Sequence, residues 1–451
     1  MFMFNRTAGR KIVLVTGLVA VAVSGAVIYF SWRPSAKPVP TAAPTMAPPR
    51  LPPPPGVYTP EVAKVSPATV DQRTLEPLAT ADAVPPLPAK PRVKISAANA
   101  QRLRRYEFDP DIGDVYRLAY HRPSGALFLA TVERDGLRSI WRMEPDMSVR
   151  RVFGENYGTG DIFLAADSRG NLYAQFDDPG NVYRSSDGGE YWRPAAFGIA
   201  GTFWQIADDG QGTLWATQHA ENTAVLYRSV DDGQSWAPWT DFHRLYPELA
   251  VTYANGDPRF KLRHLHAVSF VDEKLFVGVG DFVRFTVVSE DRGATWKQIW
   301  DEGFTAGVPL ADGNGLLLGP DRLRSHGLAV YDFQKGQTKE VWSPMPYGYA
   351  GYTYSLLQVG GVYFAGFHTE ANEVTGLSSK FGLVASPDLL NWFPYLELGP
   401  LSSAARTDIF LDAGPAERQV FMTLNGSLYD FTAMPPFEFD FYAPFGVRRV
   451  K

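Results

Sequence analysis

A Ser, an Asp two residues on, a Gly two further and a Trp three beyond the Gly recur three times in this chain. YRSSDGGEYW supplies Ser185, Asp187, Gly189 and Trp192, and YRSVDDGQSW supplies Ser229, Asp231, Gly233 and Trp236. VVSEDRGATW supplies Ser289, Asp291, Gly293 and Trp296, while SPDLLNW (Ser386 to Trp392) is a shortened relative without the Gly. Ser and Asp side chains bond backbone groups inside a tight turn. Gly gives the positive φ a short hairpin needs. The Trp opens the next strand as a large apolar anchor whose indole N–H wants one partner. The pattern is a device for folding a β-hairpin, so a chain that repeats it must be built from repeated hairpins.

A second repeat surrounds the first. GALFLAT at Gly125, GNLYAQF at Gly170, GTLWATQ at Gly212, EKLFVGV at Glu273, NGLLLGP at Asn314, GGVYFAG at Gly360 and RQVFMTL at Arg418 read as one recurring strand. Their spacing suits four-stranded propeller blades with loops. No amphipathic helical segments intervene, which excludes an alternating α/β fold. The sequence predicts an all-β, six- or seven-bladed β-propeller, with candidate blades starting near Asp114, Asp161, Thr202, His264, Gly303, Tyr352 and Thr407. Six blades follow if ring closure borrows a strand from one terminus. FEFDFYAPF near Phe437 is a candidate to close the ring or pack beneath it.

The turns resemble the Asp-box (BNR repeat) of sialidase-like β-propellers over roughly residues 106–435. That resemblance implies that the boxes lie on the outer rim, away from a central site. It also implies a sialidase-type constellation in which arginines grip a sugar carboxylate, a Tyr activated by a Glu is the nucleophile and an Asp is the acid/base. VYRLAYHRPSGALFLATVER is similar to the family's first strand pair and places Arg117 at its Arg position, with Ala119 where the family has Pro. YTYSLLQVGGVYFAGFHTE is similar to the Tyr strand and places Tyr354 at the nucleophile position. Arg406 and Arg322 or Arg324 are further guanidiniums, and Glu133 and Glu370 are the available acids. Several Arg around one carboxylate make sense as bidentate charge-assisted bonds, and a lowered Tyr pKa beside them would activate the nucleophile.

In a propeller the first strand of each blade lines the channel, and its entry loops form one face. Polar residues there are His121, Asp161, Asp408 and, as a predicted ligand-binding face, His264, His266, Asp281, Arg324, Tyr352, His368 and Glu370. His264 and His266, two apart on a strand, face the same side. Such a pair can ligate a metal, with Asp281 or His243 as a third ligand. The reading preferred is a hydrogen-bonded polar layer or a pair binding substrate hydroxyls, with no metal and no cofactor expected. No G-x-S-x-G elbow, P-loop or HExxH occurs.

Residues before the propeller carry a different message. Lys11 to Trp32 is an apolar run with Arg6, Arg10 and Lys11 at its start and Tyr29, Phe30 and Trp32 at its end. It is long enough to cross a bilayer, and the flanking charges put residues 1–10 in the cytoplasm. Ser24 and Ala26 offer a rival signal-peptide cleavage site; an uncleaved anchor over 11–32 is the expectation. From Arg33 to Arg92 the chain holds 17 of its 36 prolines, a polyproline II spacer of about 190 Å at full extension. PAKPR at Pro88 to Arg92 is a PxxP sequence, for which a spacer role is preferred to docking. Residues 94–105 read as a short helix ending a stalk over 33–105, with the propeller over 106–451.

A formal net charge of −5 argues against nucleic acid, and the absence of Cys removes disulfides and thiolate chemistry. The expectation is a membrane-anchored, extracytoplasmic module that binds a glycan or an envelope protein, using its 21 Tyr and 11 Trp. An exo-acting, sialidase-like glycoside hydrolase is the alternative.

Overall fold

The computed structural model of the chain describes residues 104–433 except 107, 109–111, 134–136, 156–161, 177–179, 222, 253–257, 261, 282, 322–325, 344–351, 369–380, 399–408, 417 and 425. The expected membrane helix, the Pro-rich stalk and the stretch near Phe437 lie outside the described residues.

A two-residue strand, β1 (Arg104–Arg105), precedes the first full sheet. Blade one is β2 (Asp114–His121), β3 (Ala126–Val132), β4 (Arg138–Met143) and β5 (Val149–Glu155). Blade two is β6 (Phe163–Ala166), β7 (Leu172–Gln175), β8 (Gly180–Ser185) and β9 (Arg193–Ile199). Blade three is β10 (Thr202–Asp208), β11 (Leu214–His219), β12 (Val225–Ser229) and β13 (Ala237–Asp241). A one-turn helix, Phe242–Leu245, and a small hairpin of β14 (Ala250–Thr252) and β15 (Pro258–Phe260) follow it. Blade four is β16 (Leu262–Val271), β17 (Lys274–Asp281), β18 (Phe285–Ser289) and β19 (Lys297–Trp300). Blade five is β20 (Phe304–Pro309), β21 (Gly315–Pro320), β22 (Leu328–Asp332) and β23 (Gln337–Trp342). Blade six is β24 (Tyr352–Val359), β25 (Val362–His368), β26 (Phe381–Ser386) and β27 (Phe393–Leu398). Blade seven is β28 (Ile409–Ala413), β29 (Gln419–Leu424) and β30 (Ser427–Thr432), with β1 as its outermost strand.

Each blade is an antiparallel meander, and the innermost strands β2, β6, β10, β16, β20, β24 and β28 neighbour one another around a closed ring. The blade count is seven. Closure does borrow an N-terminal strand, and that strand completes the seventh sheet. Arg104 and Arg105 were expected at the end of a helix; they form β1 instead. The free edge of β30 exposes backbone donors and acceptors that a strand can satisfy and a helix cannot. Arg104 locks the joint by donating to both carboxylate oxygens of Asp430 (3.2 and 3.1 Å), and the Tyr106 hydroxyl donates to the same carboxylate at 3.0 Å.

The hydrophobic core is a ring of seven clusters, one between each pair of neighbouring blades. Strand periodicity produces this, because successive side chains point to opposite faces. On β17, Leu275, Val277 and Val279 pack toward blade three, whereas Phe276 packs toward blade five. On β21, Leu316 and Leu318 face blade four while Leu317 faces blade six. The second strand of a blade is buried on both sides, which explains its unbroken apolar sequence.

The Ser–Asp–Gly–Trp turns join the third and fourth strands of blades two, three and four, on the outer rim. Each Ser hydroxyl donates to its Asp carboxylate (2.8, 2.7 and 2.7 Å) and accepts the Gly N–H (2.9, 2.9 and 2.6 Å). The Asp oxygen also accepts a backbone N–H four residues on, from Tyr191, Ser235 and Thr295. Gly233 shows why no side chain fits: its φ is +75°, and a Cβ would lie 2.1 Å from the Tyr173 hydroxyl. Each Trp turns into the interface with the preceding blade: Trp192 stacks on Phe153, Trp236 meets Tyr173 and Phe203, and Trp296 meets Phe242. Trp392 of the shortened copy does the same against Trp342, and there Ser386 accepts the Leu389 N–H in place of a Gly.

Candidate functional site

The channel is a cavity of about 450 Å³ walled by the innermost strands. Arg117, on β2, projects across it. Its guanidinium lies 3.8 Å from the Phe410 ring centre on β28 and 4.7 Å from that of Trp204 on β10. Residues from blades one, three and seven thereby meet in one cation–π contact, an interaction that strengthens when water is excluded.

Trp204 connects this contact to a second one. It also meets His219, at the end of β11, with ring centres 4.6 Å apart, and His266 at 6.4 Å. His219 in turn lies 4.0 Å from His264 and 5.7 Å from His266 between ring centres. His264 and His266 do share one side of β16, as their spacing predicted, and their Nε2 atoms are 2.8 Å apart. Register slips flank the pair, between Leu262 and His264 and between Leu265 and Val268. Such bulges re-aim side chains locally. Gly280, paired with His264 across β17, has no room for a side chain: a Cβ there would stand 2.2 to 2.6 Å from the His266 ring.

Carboxylates close the centre. Asp281, at the end of β17, lies 3.3 Å from His264 Nε2 and 3.7 Å from His266 Nε2. Its φ of +76° is left-handed backbone, which Asp tolerates better than most residues. Behind it, Asp321 of blade five places Oδ1 3.2 Å from His266 Nδ1 and accepts the Asp281 N–H at 3.0 Å with Oδ2. Arg263 bridges Asp281 and Glu221 in front. Thr217 donates to the His266 carbonyl at 2.6 Å and fixes the strand.

Burial pushes the His264 imidazole below its usual pKa, and it pushes His219 well below, with His264 and His266 adding to the effect. Burial alone would raise Asp281, but its bond to His264 and the fields of His264, His266 and Arg263 outweigh that and hold it below the ordinary carboxylate range. Imidazole nitrogens beside a carboxylate can, when unprotonated, take hydrogen bonds from hydroxyls or donate lone pairs to a cation.

The structure brings together His264, His266 and Asp281 from the predicted face. Arg117 stands across the channel, linked to them through Trp204 and His219. His243, the alternative third ligand, is elsewhere: it bonds the Leu262 carbonyl at 2.8 Å. Tyr352 is buried at the start of β24. Tyr354 and His368 are on β24 and β25, with side chains outside the described residues, as are Asp161, Arg322, Arg324, Glu370, Arg406 and Asp408. Glu133 is engaged by Ser139 at 2.5 Å and paired with Arg151 at 3.3 Å. His121 bonds Ser124 and the Gly170 carbonyl, a structural role. The sequence reading missed His219, Asp321, Arg263 and Glu221. The available signal was that the second strands of blades three and four end in ATQH and GVGD, and that of blade five is followed at once by Asp321, each running from apolar residues to a polar end.

No family model matches the chain. A stretch of 115 residues is 30% identical to vacuolar protein sorting/targeting protein 10 of Candida dubliniensis; it covers 25% of this chain and about 7% of that protein's length. Among solved structures, virginiamycin B lyase from Staphylococcus aureus, in a catalytically inactive form with quinupristin, superposes with a TM-score of 0.51 at 11% identity, over 74% of this chain and 99% of the lyase. A chain of the mitotic checkpoint complex gives 0.50 at 12% identity, over 80% of this chain and 100% of its own. What these structures share with the present chain is its architecture, a closed β-propeller, which in the lyase as here has seven blades.

Proposed function

We propose that this chain is a non-catalytic recognition module of the cell envelope. Residues 11–32 would hold it in the cytoplasmic membrane with the N-terminus inside, the Pro-rich stalk would carry the propeller outward, and a protein partner would bind its rim. The observation that carries the reading is where apolar side chains meet solvent. Among the described residues, Tyr116, Met147, Tyr191, Phe197, Val230, Trp239 and Leu390 are large, exposed hydrophobics, and all but Tyr116, on the innermost strand β2, belong to outermost strands or the turns leading into them. Four of these seven are on blades two and three, and three of those four are among the most exposed. Exposed aromatics grouped on one sector mark protein contacts more than glycan clefts, which are concave. The expected aromatic face is therefore the rim, and the histidines occupy a different place.

Other features agree. The Ser–Asp–Gly–Trp turns fit an Asp-box scaffold, which hosts binding proteins as well as enzymes. The partial likeness to a sorting and targeting protein points the same way. Arg117, which a sialidase-like mechanism needs on a substrate carboxylate, lies instead on the Phe410 and Trp204 rings.

The test is photo-crosslinking of the full chain in envelope preparations, with the probe at Phe197 or Val230 and, as a control, at Lys339 on the blade-five rim. A discrete adduct from positions 197 and 230, absent at 339 and lost when Trp239→Arg is added, is the expected result. Equal labelling from all three positions would sink the rim assignment. Turnover of a fluorogenic glycoside that disappears in Tyr354→Phe would overturn the non-catalytic reading itself.

A further inference from the structure

We propose that His264, His266 and Asp281, completed by His219, hold one divalent transition-metal ion of the zinc class. The site is independent of the rim and replaces the sequence-based expectation of no metal.

Convergence is the first argument. Four-coordinate zinc with bonds of about 2.0 to 2.1 Å separates its ligand atoms by about 3.3 Å. Here the separations are 2.8 Å between the two Nε2 atoms, 3.3 Å from His264 Nε2 to Asp281 Oδ2 and 3.7 Å from His266 Nε2 to Asp281 Oδ1. The ligand nitrogens of His219, His264 and His266 lie within 4.8 Å of one another. Three imidazoles and a carboxylate are a donor set that suits zinc and its neighbours, and not the all-oxygen preference of calcium or magnesium.

Support behind the ligands is the second argument. A ligating imidazole characteristically gives its other ring N–H to a carboxylate, which fixes the tautomer. Asp321 Oδ1 stands 3.2 Å from His266 Nδ1, an ion-pair distance without hydrogen-bond alignment, so a small turn of the ring on metal binding would complete this contact. Arg263 holds one Asp281 oxygen, and Asp321 holds the Asp281 backbone, so the carboxylate is oriented from two sides. Gly280 supplies the space that the His266 ring fills. Asp281, with its side chain 19% exposed, gives an ion a route in from solvent. The ligands come from blades three and four, with the supporting Asp321 from blade five, so the ion would staple blades three and four beside the channel.

The test uses the purified full chain, stripped with a chelator and titrated with Zn²⁺, then with Co²⁺ as a spectroscopic probe. The expected result is about one Zn²⁺ per chain, a higher Tm with metal, and the intense visible bands of four-coordinate Co²⁺. His266→Ala and His219→Ala should each abolish the stoichiometric site; His219 is the more solvent-accessible of the two, so its variant is the one to read if His266→Ala fails to fold. Asp321→Asn, a change in a positioning residue, should weaken Zn²⁺ by 10- to 100-fold while keeping the stoichiometry. Folded wild type that takes up no Zn²⁺ would overturn the proposal and leave an N–H···N hydrogen bond between His264 and His266. So would uptake that is unchanged in His219→Ala.

Discussion

Asp412 shows how one residue in the channel wall ties charge to stability. Burial lifts its carboxyl to about 6, against bonds from the Tyr120 and Ala413 N–H groups and the field of Arg122 that lower it. An unfolded Asp titrates near 3.9. Between those values the folded chain keeps a proton that the unfolded chain has lost, so stability must fall as pH rises from about 4 to about 6. The loss is at most about 3 kcal/mol. Asp412→Asn should abolish this contribution: the difference in Tm between variant and wild type should widen in favour of the variant from pH 4 to pH 7. Parallel curves would mean the carboxyl is not strained by burial. The signal in sequence is slight, since DAG in IFLDAG resembles any strand end; the shift depends on the neighbouring blade covering it.

At the scale of the element, the four-residue code of the turn was legible because every one of its bonds is local. Ser229 both donates to Asp231 and accepts from Gly233, so Ser229→Ala should cost about 1 to 2 kcal/mol in urea unfolding. Gly233→Ala should cost more, because it adds a collision with Tyr173 to the strain of positive φ. Equal losses would show that Tyr173 yields freely. The histidine centre was legible only in part for the converse reason. His264 and His266 are two apart on one strand and announce themselves, whereas His219 and Asp321 reach them from other blades and carry no spacing that marks them.

For the whole molecule, stability resides in interfaces. Every core cluster is shared by two blades, so no sheet has a core of its own and the ring must close for all seven to be buried. The joint is β1 on β30. A chain starting after Arg105, compared with one starting at residue 97, should lose amide protection first along β30 and then across blade seven, with a lower Tm. Hydrogen exchange that is the same in both would mean that apolar packing of Tyr106 and Phe421 closes the ring unaided.

What the sequence determined by itself was the repeated unit: the hairpin turns, the doubly buried second strands and hence an all-β propeller, since these depend on periodicity and on bonds within a few residues. The tertiary structure decided between six and seven blades, because β28 to β30 form a sheet of their own that the two residues of β1 complete. It also decided that Arg117 faces aromatic rings and that four histidine and aspartate ligand groups from two blades, with a fifth group behind them, share one centre. Those outcomes depend on which strands become neighbours after closure, and a linear pattern does not specify contacts between residues a hundred positions apart.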